Sequence, residues 1–512
     1  MQDKRLIAVI DIGSTAIRLL IGEISDSGKW RILEQAGRPV PLGQDVFMSG
    51  SVSRDSLFLS LQILNGFREL LEGWQIDNDN TYVIATSALR EAKNRDTFFD
   101  RMQLKTGFSI NIIEGIEENR LMYVAVQYAI QNLRKKLNKS NAIIIEVGGG
   151  STEIMLLNEG KMVAAHSLRV GTVRIEQQIR SSIDSSNYMV RLIRQHLRIS
   201  KEVIRNEMKS LERIKNFIAV GGDARIAAEQ VGEYVSERYT EIKRTDFEDF
   251  IMHIKNLSLD DRVFELGITY QEAEDLVPGL LINQIILEDT DAETLIVPQV
   301  SIREGMLLSL AMGPDTEIQN EFNSQVRESA INIGKKYQFD ERHSLHVTKL
   351  ALELFDQLQE EHGLEKYHRL LLEIAGILHD IGTYVRASGH HKHGQYLIEN
   401  SEIFGLHKDD ITVIANVVRY HRKATPSMNH LNYVSLTRED RILVLKLSAM
   451  LRVADALDRG HTHIVRNLKV KKEGEQLLLF GDFLGDVSIE RFGLNEKAGL
   501  FEEVFGLKPI LA

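Results

Sequence analysis

Leu6-Ile-Ala-Val-Ile-Asp-Ile-Gly-Ser-Thr15 reads as a buried strand that runs into an acidic residue and a tight turn of small residues, and Ile17 to Ile24 supplies a second strand. The same grammar returns in Asn141-Ala-Ile-Ile-Ile-Glu-Val-Gly-Gly-Gly-Ser-Thr-Glu-Ile-Met-Leu-Leu157, with Glu146 in the place of Asp11 and a Ser-Thr pair after the glycines. Internal likeness of this kind predicts a duplicated half-domain, and so two similar lobes. A third apolar run ends in glycine at Phe217-Ile-Ala-Val-Gly-Gly-Asp223.

Between these turns the apolar spacing is helical. Leu57, Leu61, Leu64 and Phe67 form one stripe, and Ile193, Leu197, Ile204, Met208 and Leu211 another. The first part of the chain is therefore α/β, with lobe I expected over residues 1–125 and lobe II over 126–312. After Gly313-Pro314-Asp315 strands give way to long amphipathic helices, which predicts an all-α domain over 313–465. Ile464 to Gly481 alternates again about a turn at Lys471 to Gly474, so 466–512 is expected to be a small mixed element. The 512 residues suit about three folding units at roughly 150 residues each.

Hydrophobic residues make up 43% and charged residues 26% of the chain, a globular mixture, and 7 Pro beside 36 Gly exclude collagen-like or Pro-rich architectures. With no Cys, disulfide frameworks, zinc fingers and thiolate nucleophiles are impossible, and any metal must sit on His and carboxylates. A net charge of −11 argues against sequence-independent binding of nucleic acid, so an anionic ligand needs a locally basic site. Arg191 to Lys215 is rich in Lys and Arg, but its charges interleave with an apolar stripe, the pattern of a solvated helix face. The apolar stretch after the charged Met1 to Arg5 is too short for a secretory segment, and no run approaches a bilayer span. A soluble cytoplasmic protein, with neither membrane nor nucleic acid as partner, is expected.

A glycine-rich turn lets successive backbone N–H groups converge on an anion, and Ser or Thr hydroxyls add donors. Gly148, Gly149, Gly150, Ser151 and Thr152 have that form, and Gly13, Ser14 and Thr15 make the matching turn. One such turn is an ordinary hairpin; two in matching halves, each after a buried strand and an acidic residue, predict a phosphate grip. A carboxylate beside phosphate is repelled unless a divalent cation bridges them. Asp11, Glu146 and Glu153 are therefore candidate metal ligands or, on the plainer alternative, solvated strand-end carboxylates. Arg90, after the strand Tyr82 to Ala85, and Arg18 can each fork two donors onto phosphate oxygens, or else pair with a surface acid. Glu117 and Glu118 open a helix, where the N-terminal dipole alone favours carboxylates.

Two acidic hairpin turns followed by a Gly-Gly turn resemble the actin-like ATPase superfamily, a two-lobed fold of ribonuclease H-like halves. Within it, four stretches resemble the exopolyphosphatase and guanosine pentaphosphate phosphatase (Ppx/GppA) family. They are Asp11-Ile-Gly-Ser-Thr-Ala-Ile-Arg18, Ala85-Thr-Ser-Ala-Leu-Arg-Glu-Ala-Lys-Asn94, Ile113-Glu-Gly-Ile-Glu-Glu-Asn-Arg-Leu121 and Glu146-Val-Gly-Gly-Gly-Ser-Thr-Glu153. The resemblance implies that Glu118 orients or deprotonates a water attacking a terminal phosphorus, while Mg²⁺, arginines and backbone amides neutralise the non-bridging oxygens. Polyphosphate or guanosine pentaphosphate would be the substrate, orthophosphate the product and a homodimer the assembly. This chain has Glu146 where the family usually has Asp, Thr15-Ala16 for Asn-Ser, and Gly221-Gly-Asp223 for Ser-Gly-Thr. These departures leave open a slow or inactive (p)ppGpp or nucleotide sensor. An actin-like kinase is a third reading, for which neither acceptor base nor adenine pocket is apparent.

In the helical region, His343 aligns with Val347, Leu350 and Leu354 on an inward face, while His346 shares its face with Lys349 and Glu353. His379-Asp380, His421 and Asp455 also follow apolar stripes. A lone His of this kind is an ordinary core residue, but several together need partners, and a divalent metal satisfies His and carboxylate at once. The set resembles the HD phosphohydrolase superfamily. That resemblance implies a metal site of His343, His379, Asp380, His421 and Asp455, with His393 of His390-His-Lys-His-Gly394 as a further ligand, and leaves a phosphohydrolase acting through this domain as an alternative.

Overall fold

A computed structural model describes residues 4–25, 29–179, 185–208, 214–311 and 317–512. The Gly313-Pro314-Asp315 boundary and Leu211 lie outside the described residues. The chain forms two compact units, Met1–Phe322 and Asn323–Ala512.

The first unit holds two sheets. One comprises β1 (Lys4–Ile12), β2 (Ala16–Ser25), β3 (Trp30–Pro39), β4 (Thr81–Ala85) and β5 (Ile110–Ile112), in the order β3-β2-β1-β4-β5. The other comprises β6 (Asn141–Val147), β7 (Thr152–Asn158), β8 (Lys161–Leu168), β9 (Ile214–Val220), β10 (Glu233–Ser236), β11 (Tyr239–Lys243) and β12 (Thr294–Pro298), in the order β10-β11-β12-β9-β6-β7-β8. In each, an antiparallel three-strand meander is followed by a strand parallel to its first member, β4 beside β1 and β9 beside β6. The duplication legible in the turns is thus a duplication of topology. β1 is covered on both faces, which is why Ile7 to Ile10 is apolar without alternation.

Two expected boundaries move. The division after residue 125 falls inside the helix Gly115–Ala129. The helix Ile302–Ala311, expected in lobe II, packs on the first sheet, where Leu307 and Ala311 join Ile7, Val9, Leu20 and Ile24. Glycines allow that return: a β-carbon at Gly22 would stand 2.4 Å from Leu307 Cδ2, and one at Gly305 2.1 Å from the Leu121 carbonyl oxygen. Local periodicity carries no signal of which sheet this helix covers.

The second unit is built on the helices Glu341–Gln357, Lys366–Leu378, His390–Glu399, Lys408–Tyr420 and Arg438–Ala456. It closes with a sheet of β13 (Val465–Glu473), β14 (Gln476–Phe483) and β15 (Lys508–Leu511), β15 lying parallel to β14. The turn expected at Lys471 to Gly474 is shorter: β13 runs to Glu473, and Gly474, at φ 62°, supplies the left-handed residue. No described helix is long and apolar enough to cross a membrane.

Candidate active site

Both hairpin tips of the first unit open on one cavity of about 250 Å³. Their registers correspond: Ile12 faces Ile17 and Asp11 faces Arg18 in one, Val147 faces Thr152 and Glu146 faces Glu153 in the other. Gly13 N–H donates to the Ala16 carbonyl at 3.0 Å and Gly148 N–H to the Ser151 carbonyl at 2.9 Å. The tip carbonyls are tied back. Ser14 and Thr15 accept from the amides of Gly43 and Val40, Gly148 and Gly149 from those of Thr172 and Val173, and Gly150 from Arg174 Nε. The amides of Ser14, Thr15, Gly149, Gly150 and Ser151 donate to no acceptor among the described residues. Carbonyls held away and amides left unmatched make the concave donor set an anion needs.

The two tips touch. A β-carbon at Gly149 would lie 3.0 Å from Ser14 Cβ, and one at Gly150 2.4 Å from Ser87 Oγ and 2.5 Å from Phe47 Cζ. Gly150 is therefore a packing residue where an anion contact was expected, and it does not line the cavity. Thr152 is also turned away: wholly buried, its hydroxyl donates to the Val170 carbonyl at 2.6 Å. Arg174 clamps the tips from behind, its guanidinium 3.8 Å above the Phe47 ring and 2.7 Å from Glu91 Oε2.

Glu118 reaches the same cavity from the first turn of Gly115–Ala129. Its neighbour Glu117 is held by Arg120 in a two-pronged ion pair, at 2.6 and 2.7 Å. Glu118 instead takes Arg90 Nη1 at 2.6 Å, and the same nitrogen donates to the Ile113 carbonyl at 2.6 Å. Arg90 does not line the cavity, so the expected phosphate contact is replaced by a grip on the carboxylate. Burial pushes the Glu118 carboxyl up to about 7 against the pull of Arg90, with Asp11 and Glu114 adding repulsion.

Of the three carboxylates expected on a metal, Glu153 accepts from Ser167 Oγ of β8 at 2.8 Å on one oxygen and from Asn119 Nδ2 of the Gly115–Ala129 helix at 3.2 Å on the other. Asp11 Oδ1 is buried with no hydrogen-bond partner among the described residues. Burial raises the Asp11 pKa despite Arg18 and Arg303, and burial with the Glu118 and Asp11 charges pushes Glu146 up to about 8. An orphaned buried oxygen beside a second crowded carboxylate is a fit for a hard divalent cation on Asp11 and Glu146.

Sequence reasoning missed other residues of the cavity, among them Ser87, Asp223, Arg225, Asp275, Ser301 and Arg303. Gly221-Gly-Asp223 stands in the sequence as a third turn and as a departure from the family, without a role for Asp223; Gly221 adopts φ 127° and starts the helix Gly222–Val231. Asp223 there accepts from Asn283 Nδ2 at 2.9 Å, and burial pushes it up to about 7. Ser301 and Arg303 lie far along the chain in a stretch with no turn signature. The guanidinium groups of Arg18 and Arg225 line the cavity without a hydrogen-bond partner among the described residues, a reserve of donors beside the free amides.

In the second unit, His343, His379 and Asp380 bring donor atoms within 4.8 Å of one another, and so do Asp380, His390 and His421. Asp380 Oδ1 lies 3.0 Å from His390 Nε2 and 3.6 Å from His421 Nε2, while its Oδ2 is 4.0 Å from His343 Nε2. His390 replaces the expected His393. His390 is the first residue of its helix, and its Nδ1 is held by the Ala387 carbonyl at 3.0 Å, which aims Nε2 at Asp380. Backbone carbonyls of Gly376 and Val418 likewise take Nδ1 of His379 and His421, leaving their Nε2 atoms inward. Asp455 lies 3.8 Å from His343 Nε2 and pairs with the Lys497 ammonium, which sequence reasoning did not single out.

The Ppx/GppA phosphatase family matches residues 21–312, and domain III of that family matches residues 326–484. A guanosine-5'-triphosphate,3'-diphosphate pyrophosphatase of Pseudoalteromonas translucida is 25% identical over 425 residues, covering 82% of this chain and 81% of that protein. The protein of that name from Photobacterium profundum is 25% identical over 454 residues, covering 87% and 86%. Among solved structures, an exopolyphosphatase from Cytophaga hutchinsonii superposes at a TM-score of 0.54 with 19% identity, over 60% of this chain and 98% of that one. A Ppx/GppA family member from Aquifex aeolicus gives 0.50 with 23% identity, over 62% and 100%. These neighbours bear out the α/β, two-lobed actin-like fold of the first unit. With the family match spanning more than half the chain, including Glu118 and the second hairpin tip, this protein belongs to the Ppx/GppA phosphatase family.

Proposed function

We propose that the first unit hydrolyses the terminal phosphoanhydride of guanosine pentaphosphate or inorganic polyphosphate. The observation that carries this reading is the convergence of both hairpin tips and Glu118 on one cavity. The unmatched amides of Ser14, Thr15, Gly149 and Ser151, with Arg18 and Arg225, receive the non-bridging oxygens of the terminal phosphoryl group. Glu118, titrating near neutrality, takes a proton from water as its oxygen bonds to phosphorus. The bridging P–O bond breaks, and the shortened anhydride and orthophosphate leave. Arg90 holds the Glu118 carboxylate in position. Asp11 and Glu146 would hold Mg²⁺, which when bound neutralises charge on the phosphate oxygens. The relatives named for the guanosine substrate align along most of this chain, which favours the nucleotide.

The test is to mix the purified chain and Mg²⁺ with guanosine pentaphosphate, polyphosphate or ATP and follow free phosphate. Phosphate release from either of the first two supports the proposal. Tight binding without release supports a sensor, and ADP formation only on adding an acceptor supports a kinase.

For the second unit, we propose that divalent metal would be held by Asp380 together with His343 and His379 and with His390 and His421. Metal analysis of Asp380→Asn beside the parent chain tests it. The homodimer implied by the resemblance is tested by sedimentation of the purified protein.

A further inference from the structure

On the far side of His343 from Asp380 stands a second group of donors that neither site uses. His346, Asp458 and His463 each bring one donor atom within 4.8 Å of the others. Asp458, wholly buried, accepts the His463 backbone N–H on Oδ1 at 2.7 Å, and its Oδ2 lies 3.1 Å from His463 Nδ1 and 2.8 Å from His343 Nδ1. His346 is half-buried, not turned out with Lys349 and Glu353 as its spacing suggested. Its Nε2 is buried with no hydrogen-bond partner among the described residues. A buried imidazole nitrogen left unmatched costs about 1–3 kcal/mol.

The backbone strains to build this group. His461 and His463 both adopt left-handed conformations, at φ 52° and 55°, which cost a residue other than glycine about 1–2 kcal/mol each. The turn stacks His461 on His343, with ring centres 3.6 Å apart, and swings His463 over Asp458. Strain of this kind persists where something else over-determines the geometry.

We infer that His346, Asp458 and His463 bind one divalent transition-metal ion, separate from the Asp380 cluster, which pins the strained turn to the helix Glu341–Gln357. Two imidazoles and a carboxylate suit a borderline ion such as Zn²⁺ or Co²⁺. Ligands at about 2.0 Å in tetrahedral array stand about 3.3 Å apart, and the Asp458 and His463 donors already stand at nearly that separation, 3.1 Å. The free Nε2 of His346 supplies the third ligand, and solvent completes the shell. Through Asp458, which also holds His343 Nδ1, this ion would stiffen the neighbouring cluster.

The test uses the full chain carrying Asp380→Asn and His390→Ala, titrated with Co²⁺ in metal-free buffer. The inference expects one equivalent with the visible d–d bands of a His/carboxylate site to remain, apart from any cation held by the all-carboxylate Asp11 and Glu146, and expects His346→Gln or His463→Asn added to the background to weaken that banded binding at least tenfold. Failure of the folded background to hold Co²⁺, or survival of its equivalent through both added substitutions, overturns the inference. If the background does not fold, His346→Gln alone must lose one equivalent relative to the parent. Equivalents lost with Asp380→Asn alone report separately on the Asp380 cluster.

Discussion

Arg90 Nη1 donates to Glu118 Oε1 at 2.6 Å across a largely buried interface, and Arg90 itself does not line the cavity. Its charge opposes the burial that raises Glu118 to about 7. Arg90→Ala therefore raises the Glu118 pKa further and leaves the base protonated at neutral pH. Phosphate release at pH 7 is expected to fall about tenfold per pK unit of that shift and to recover as the pH is raised. The pH profile of kcat/KM checks this; a uniform loss with an unmoved acidic limb would mean that Arg90 acts on substrate instead.

Asp11, Glu118, Glu146, Glu153 and Asp223 share one direction of shift, upward through burial. Acids whose folded-state pKa exceeds the unfolded one make the native state the better proton binder. Their stabilisation is complete below the unfolded values of about 4 and is lost as pH rises through the folded values, near 7 for Glu118 and Asp223 and near 8 for Glu146. Calorimetry should show the transition of the first unit moving to lower temperature between pH 5 and 8, with Mg²⁺ restoring part of the loss. A transition that climbs with pH over that window in the absence of Mg²⁺ contradicts the crowded-carboxylate picture.

The paired hairpins were legible because their function needs small residues at fixed offsets from a strand end, a local signal that survives without knowledge of packing. Glu118 was legible through its resemblance, and the structure supplies the physical reason for choosing it over Glu117, which Arg120 occupies. What could not be read was long-range. Neither the return of Ile302–Ala311 to the first sheet nor the arrival of Arg303 at the cavity leaves a mark in local periodicity. The exchange of His393 for His390 turned on which residue of one helical turn faces Asp380, a matter of where the helix starts. Thr152 and Gly150 fitted the motif by composition, but the hairpin has two sides and only one faces the cavity.

Lys497 reaches from the helix Ser488–Lys497 to the Asp455 carboxylate. Burial alone would raise Asp455, but Lys497, His421 and His379 hold it well below the usual carboxylate range. Lys497→Met strands a buried charge, and unfolding of the metal-free second unit is expected to become easier by about 3 kcal/mol. Adding Asp455→Asn to that variant should recover part of the loss. Equal stability of Lys497→Met and parent in denaturant titrations would show the pair to be of little energetic weight.

Gly150 and Gly66 make a controlled comparison. A β-carbon at Gly150 meets Ser87 and Phe47 across the meeting tips, whereas one at Gly66, inside the helix Arg54–Gly73, meets nothing within 4 Å. Gly150→Ala is expected to destabilise by about 1–3 kcal/mol and to depress phosphate release, and Gly66→Ala to stabilise by up to about 1 kcal/mol with activity unchanged. Matched thermal melts and rates decide the matter.

The most direct measurement is phosphate release by Glu118→Gln, an almost isosteric change that keeps a polar group facing Arg90 and removes the base. A chain that still binds guanosine pentaphosphate or polyphosphate but releases phosphate about 10²–10⁴-fold more slowly is the expected result. Release at the parental rate, with binding intact, would contradict the assignment of Glu118 as the residue that activates water.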